Sequence, residues 1–298
     1  MTSRVVDLGG REVHVVDSGW PQGRPAPVVL LASGLAGAWF DWAGVQALLE
    51  PHARVIVMDR PGCGDSPPPA EPVAVDLVGC ADDLVGVLDA CGVGSAVLVG
   101  HSMGAWYAEA AARLHPHRAT ALVLVDGSVC DGDEWRPARD ASVVDTLVRL
   151  ADATIGWRWL GPLLRRLGDR GLPVGAWGRR HHARADRVYA QGHVWRTIGM
   201  EDAAYDRMRH ELALLRATSP LPAIPVHALA ALPGPVPARW CWWARQQRRQ
   251  AEALGADNPQ ARVTREVVRP ARHMMMLQRL RRVAAAIART SGQVLGHL

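Results

Sequence analysis

Among the side chains able to do covalent chemistry, Ser102 has the most telling neighbours. It stands in Gly100-His101-Ser102-Met103-Gly104, a G-x-S-x-G pattern preceded by AVLV and followed by AWYAEAAARL. An apolar β-type run that passes through this pattern into a helix-forming one predicts a serine on a sharp, strained strand-to-helix turn. Glycines two residues to either side let strand and helix approach closely. The helix that begins there directs free N–H groups and the positive end of its dipole at the reacting oxygen. The chemistry is attack of a hydroxyl on a carbonyl carbon. A serine at its ordinary pKa is a poor nucleophile, so a base must lie within hydrogen-bond reach. Twelve histidines are available. His273 is the best placed, between the last expected strand and the final helix. His101 lies inside the elbow and should point away from the nucleophile, and His181 and His182 sit in an arginine-rich stretch that reads as surface.

The elements that must position these groups alternate along the chain. Val13–Asp17 and Val28–Ala32 read as strands, bounded by Gly and Pro. Trp39–Leu49 reads as a helix and Val55–Met58 as a strand, followed by the turn-rich RPGCGDSPPPAEP. Asp76–Ala90 carries apolar residues at helical spacing, with Gly92 and Gly94 stopping it. Ala96–Val99 is a strand, Ala105–Leu114 a helix and Ala121–Val125 a strand again. The rhythm then breaks: residues 129–222 hold helical stretches and several tryptophans (Trp135, Trp157, Trp159, Trp177, Trp195) but no buried strand. It resumes with Pro225–Ala230, a helix over Arg239–Leu254, a strand at Val263–Val268 and a helix over Leu277–Ala288. Alternation of this kind predicts an α/β fold with a mostly parallel sheet flanked by helices. The core is expected over 1–128 and 223–298, interrupted by a helical insertion at 129–222 that is longer than an ordinary loop.

Over nearly its whole length the sequence resembles the α/β-hydrolase superfamily. VVLLASGLAGAWFDW resembles the strand and oxyanion loop, VIVMDRPGCGDS the next strand with its D-R-x-G-x-G-x-S turn, GHSMG the elbow, and PARHMMML the segment bearing the family's histidine. The resemblance implies Ser102 as nucleophile, His273 as base, and the backbone N–H groups of Leu35 and Met103 as oxyanion donors, although Ser33-Gly34 replaces the common His-Gly pair. Asp59 and Arg60 match a structural turn that anchors loops. The acid usually follows the strand at Pro225–Ala230, yet residues 212–251 contain no Asp or Glu. Asp126, at the end of ALVLVD, is the next position the family uses; Asp131, Asp133 or no acid at all remain as alternatives. The insertion corresponds to the family's lid, and Trp39 and Trp106 beside the site loops are candidate walls of an apolar pocket, with core packing as the alternative for any one tryptophan. Epoxide hydrolases and haloalkane dehalogenases of this fold place Asp at the elbow, where this chain has Ser102.

Composition narrows the function classes. The 298 residues are 49% hydrophobic and 21% charged, as in a globular protein with a sizeable core. The net charge is +5, but the arginines are dispersed and no nucleic-acid motif accompanies them. The chain has no lysine, which removes Schiff-base chemistry, P-loop nucleotide binding and the hydroxynitrile lyases of the resembled family. Five scattered cysteines, none spaced as CxxC, argue against a disulfide framework or a zinc site. No secretory or membrane-spanning run is evident, so a cytoplasmic location is expected. The expected partner is a small-molecule substrate, without cofactor, metal, nucleic acid or membrane. The expectation is a serine hydrolase acting on a mid-sized apolar ester, lactone or thioester. The alternatives are a non-hydrolytic cyclase or lyase, or a ligand-binding, receptor-like member of the fold.

Overall fold

In the computed structural model, which describes residues 1–21, 25–69, 75–130, 141–154, 156–168, 179–234 and 238–292, the aliphatic runs of the sequence become the centre of one sheet. VVLLA forms β3 (Val28–Ala32), RVIVM β4 (Arg54–Met58), AVLVGH β5 (Ala96–His101) and ATALVLV β6 (Ala119–Val125). Apart from Thr120 at the start of β6, every residue in them is buried, as strands covered on both faces require. The outer strands are more polar: β1 (Thr2–Asp7) and β8 (Arg262–Val268) each leave several residues in solvent, which blunts the two edges. With β2 (Glu12–Asp17) and β7 (Pro225–Ala231) the order across the sheet is β1-β2-β4-β3-β5-β6-β7-β8. β2 runs antiparallel to β1 and β4, and every other neighbour pair is parallel.

Helices cover both faces. One face packs α2 (Leu77–Ala90), α3 (Gly104–Leu114) and α8 (Ala238–Asp257) around Leu84, Ala108, Leu98 and Leu254. The other packs α1 (Ala43–Leu49), α9 (Met275–Gln278) and α10 (Leu280–Thr290) around Val45, Val99, Met275 and Ile287. The expected helix over Trp39–Leu49 divides into a 3₁₀ turn, Trp39–Trp42, and α1. At the start of α2, Asp76 accepts the Gly79 N–H at 2.7 Å, an N-cap that sets the first turn.

Among the described residues four helices lie between β6 and β7: α4 (Ala141–Thr154), α5 (Trp157–Gly168), α6 (Arg179–Tyr189) and α7 (Gly192–Thr218). α7 has 27 residues, so it runs roughly 40 Å. Its Ala204, Met208 and Leu212, spaced at i, i+4 and i+8, enter the same core as α2 and α3. The last helix of the insertion is thus packed into the main core. A smaller cluster joins Ala185, Val188 and Tyr189 of α6 to Ala38 and Phe40. Among the described residues no helix is long and apolar enough to cross a membrane. Trp135, Trp177, Asp131 and Asp133 lie outside the described residues.

Candidate active site

Ser102 stands between β5 and α3 with φ at +53°, the left-handed region that an L-residue enters only under constraint. The constraint is the backbone of neighbouring β6. Ser102 N–H donates to the Val125 carbonyl at 3.2 Å, and the Ser102 carbonyl accepts from Ser128 N–H at 3.0 Å. A Cβ on Gly100 would lie 2.1 Å from the Gly104 carbonyl oxygen, so strand and helix meet too closely there for any side chain. The loop after β3 presses on the serine: a Cβ on Gly34 would lie 2.6 Å from Ser102 Cβ.

Asp126 follows β6 directly, also at positive φ (+44°), and is 1% exposed. Oδ1 accepts from Ala231 N–H at 2.9 Å and from the Trp243 indole at 3.2 Å. Oδ2 meets Nδ1 of His273 at 2.8 Å. A carboxylate can only accept, which places the imidazole proton on Nδ1 and leaves Nε2 with its lone pair as a base. His273 sits in the turn between β8 and α9, with its side chain 47% exposed. Among the described residues no hydrogen bond joins it to Ser102 Oγ, a last link that often closes only around substrate.

The loop over residues 33–35 has a support at Arg60, a residue expected only as a loop anchor. Arg60 Nη1 donates to the Ser33 carbonyl at 2.6 Å, and Nη2 donates to the Gly34 carbonyl at 2.8 Å. The same guanidinium grips Glu201 of α7 at 2.6 and 2.9 Å. Burial opposes the Arg60 charge, but Glu201 outweighs it and holds the guanidinium firmly protonated. Among the described residues neither the Leu35 nor the Met103 N–H donates to a protein acceptor, so both expected oxyanion donors are free to bind an oxygen. A cavity of about 310 Å³ lies behind this loop, lined by Arg60, Glu201, Tyr107, Cys80 and Met200, and none of Ser102, Asp126 and His273 borders it.

The two tryptophans expected at the pocket part ways. Trp106 is 1% exposed, donates to the Ser128 carbonyl at 2.8 Å and packs on Tyr205. It is core beneath the elbow and shows no face to the site. Trp39 is half-buried and held at both nitrogens: its backbone N–H donates to Asp59 at 2.7 Å and its indole to Asp65 at 2.7 Å, with Arg184 5.1 Å above the ring. His14, Asp59 and Asp65 converge closely enough to invite a metal reading. However, the Asp59 carboxylate already receives N–H donors from Trp39, Asp65 and His14, and a cation would have to displace them. That donor set fits an anchor for the turn.

Sequence reasoning passed over Glu201 and Trp243, and for His101 it expected an orientation away from Ser102 but not the bond to the His273 carbonyl. Glu201 is the only acid that α7 buries among Ala203, Ala204 and Met208, and a lone acid in an apolar helix face was a usable signal. Trp243 and His101 carried none, because their roles depend on which loops the fold brings together.

The family profile described as alpha/beta hydrolase fold matches residues 27–157. Over 125 residues the chain is 38% identical to epoxide hydrolase A of Mycobacterium tuberculosis, a stretch covering 42% of this chain and 38% of that protein. The matched stretch thus spans less than half of that curated relative. In fold the likeness is nearly complete. The enol-lactonase from Burkholderia xenovorans LB400 superimposes with a TM-score of 0.67 at 18% identity, covering 97% of this chain and 100% of that one. An epoxide hydrolase mutant from Vigna radiata gives 0.73 at 17% identity, covering 97% and 98%.

Proposed function

We propose that this chain, which matches the alpha/beta hydrolase fold profile over residues 27–157, is a serine hydrolase that cleaves an ester, lactone or thioester of a mid-sized apolar compound through an acyl-enzyme at Ser102. The observation that carries this reading is the 2.8 Å contact between His273 Nδ1 and Asp126 Oδ2, made beside a serine in a strained elbow. A hydroxyl at the elbow, rather than a carboxylate, favours acyl transfer.

In the first half-reaction Ser102 Oγ attacks the substrate carbonyl while Nε2 of His273 takes its proton. Asp126 holds the Nδ1–H tautomer and stabilises the imidazolium without itself taking the proton. The carbonyl oxygen becomes an oxyanion between the Leu35 and Met103 N–H groups, each worth about 3 kcal/mol to the transition state. Collapse expels the alcohol or thiol, which leaves with the proton from Nε2. Water then attacks the acyl-enzyme by the same relay in reverse and frees the acid and Ser102. Trp39 supplies an aromatic wall beside the oxyanion loop, and the insertion covers the site as a lid.

Fluorophosphonate labelling with peptide mapping, alongside turnover of p-nitrophenyl esters of increasing acyl length, tests the proposal. Labelling at Ser102 with multiple turnovers is expected. Labelling without turnover points to a cyclase, lyase or ligand-binding role, and no labelling at Ser102 removes the nucleophile.

A further inference from the structure

Arg60 and Glu201 stand 141 residues apart in the chain, one in the turn after β4 and the other on α7 of the insertion, and they meet as a buried pair. Their side chains are 6% and 3% exposed. A buried ion pair is weak as a stabilising device, since removing two charges from water costs about as much as their attraction returns. What this pair does locally is more specific. With Glu201 taken by Nε and Nη2, the guanidinium still spends Nη1 on the Ser33 carbonyl and shares Nη2 with the Gly34 carbonyl. The Gly34 carbonyl and the Leu35 N–H belong to one trans peptide, in which C=O and N–H point in opposite directions. Drawing the carbonyl toward Arg60 therefore turns the Leu35 N–H to the opposite side. Ser102 packs directly on this loop, with its Oγ 3.1 Å from where a Cβ on Gly34 would stand.

We propose that Arg60 and Glu201 form a positioning pair that fixes the direction of the Leu35 N–H, and that α7 thereby sets the oxyanion hole from outside the α/β core. This rests on the serine-hydrolase reading above. Arg60 touches neither the nucleophile nor the reacting carbonyl, and it acts only through the peptide it holds. The guanidinium fork is needed, because a lysine ammonium could not bind two carbonyls and a carboxylate in fixed directions.

The decisive comparison is between Glu201→Gln and the double variant Arg60→Met/Glu201→Met. Glu201→Gln strands the guanidinium charge and is expected to lower both kcat and the rate of fluorophosphonate labelling about 100-fold, with KM within about twofold. The double variant removes both charges and is expected to regain thermal stability while kcat stays low, since nothing turns the peptide. Recovery of kcat along with stability would reduce the pair to a structural staple and overturn the proposal. So would a loss confined to KM. A crystal structure of the double variant gives a readout that needs no substrate: the Gly34–Leu35 peptide should be rotated or displaced relative to Ser102. An unmoved peptide overturns the positioning role even if the wild-type protein hydrolyses no ester, whereas wild-type protein that neither labels nor turns over, with the peptide displaced, overturns only the hydrolase reading.

Discussion

The ring of His101 carries the backbone of His273: Nε2 donates to the His273 carbonyl at 3.0 Å, and the two ring centroids lie 4.6 Å apart. The elbow thus holds the His273 loop through the residue just before Ser102. Burial, reinforced by the neighbouring His273, keeps the His101 pKa well below its ordinary value, so the ring is neutral. A folded-state pKa below the unfolded value of about 6.5 means that the unfolded chain binds the extra proton as pH falls. The stability this confers is full above about pH 6.5 and declines below it, by at most about 1.4 kcal/mol per pH unit. Thermal melting between pH 8 and pH 5 should show that decline, and His101→Gln, which keeps a donor but cannot titrate, should reduce it, leaving the smaller share of the half-buried histidines His193 and His227. A wild-type Tm that is level across this range would contradict the assignment.

Asp126→Asn should lower kcat about ten-thousand-fold, because an amide can donate to Nδ1 and so favours the wrong imidazole tautomer. Ala231 N–H and the Trp243 indole still find the amide oxygen, so Tm should change little. Steady-state ester hydrolysis with a matched melting curve checks both. A near-normal rate would pass the acid role to another residue.

The sequence readily disclosed the parts of this protein that local pattern determines. The elbow was legible because chain order, glycine spacing and the switch from strand to helix coincide within a few residues. Asp126 was singled out because it directly follows β6 and residues 212–251 hold no Asp or Glu. β1 escaped notice because an edge strand half in solvent, TSRVVD, has too little apolar content to stand out. For Trp106 core packing and a pocket wall could not be told apart, because α3 is buried all round from Gly104 to Arg113 and periodicity singles out no site-facing side. The pairing of Arg60 with Glu201 was beyond reach: the acid could be picked out on its helix face, but its partner depends on α7 folding back onto the loop of Ser33 and Gly34.

Gly34→Ala should separate activity from folding. The added methyl would come 2.6 Å from Ser102 Cβ and 2.9 Å from the His101 carbonyl oxygen, so the loop must retreat from the elbow. The loop lies at the site rather than in the sheet, so the protein should fold, while kcat falls about 100-fold from a misplaced donor. Circular dichroism alongside a fluorophosphonate labelling rate would check this. A labelling rate equal to wild type would show that the loop can shift without disturbing the serine.

Glu109 on α3 should prove a main tie between the core and α7. It is 1% exposed and takes Arg113 Nε at 2.9 Å, with Arg216 of α7 at 2.8 and 2.7 Å. Burial raises its pKa, but Arg216 and Arg113 outweigh that and hold it below the ordinary carboxylate value. The sign is therefore opposite in source to that of a buried lone acid. This carboxylate contributes stability above its unfolded pKa of about 4.3, and the contribution is lost as pH falls through the lower folded value. Glu109→Gln leaves two arginines facing a neutral amide and should cost about 3–5 kcal/mol. Chemical denaturation at pH 7 and pH 4 measures both effects. The gap between wild type and Glu109→Gln should be widest at neutral pH and narrower at pH 4, and the first amides to lose exchange protection in the variant should be those of α7. A gap that does not change with pH would mean that the side chain acts through packing alone.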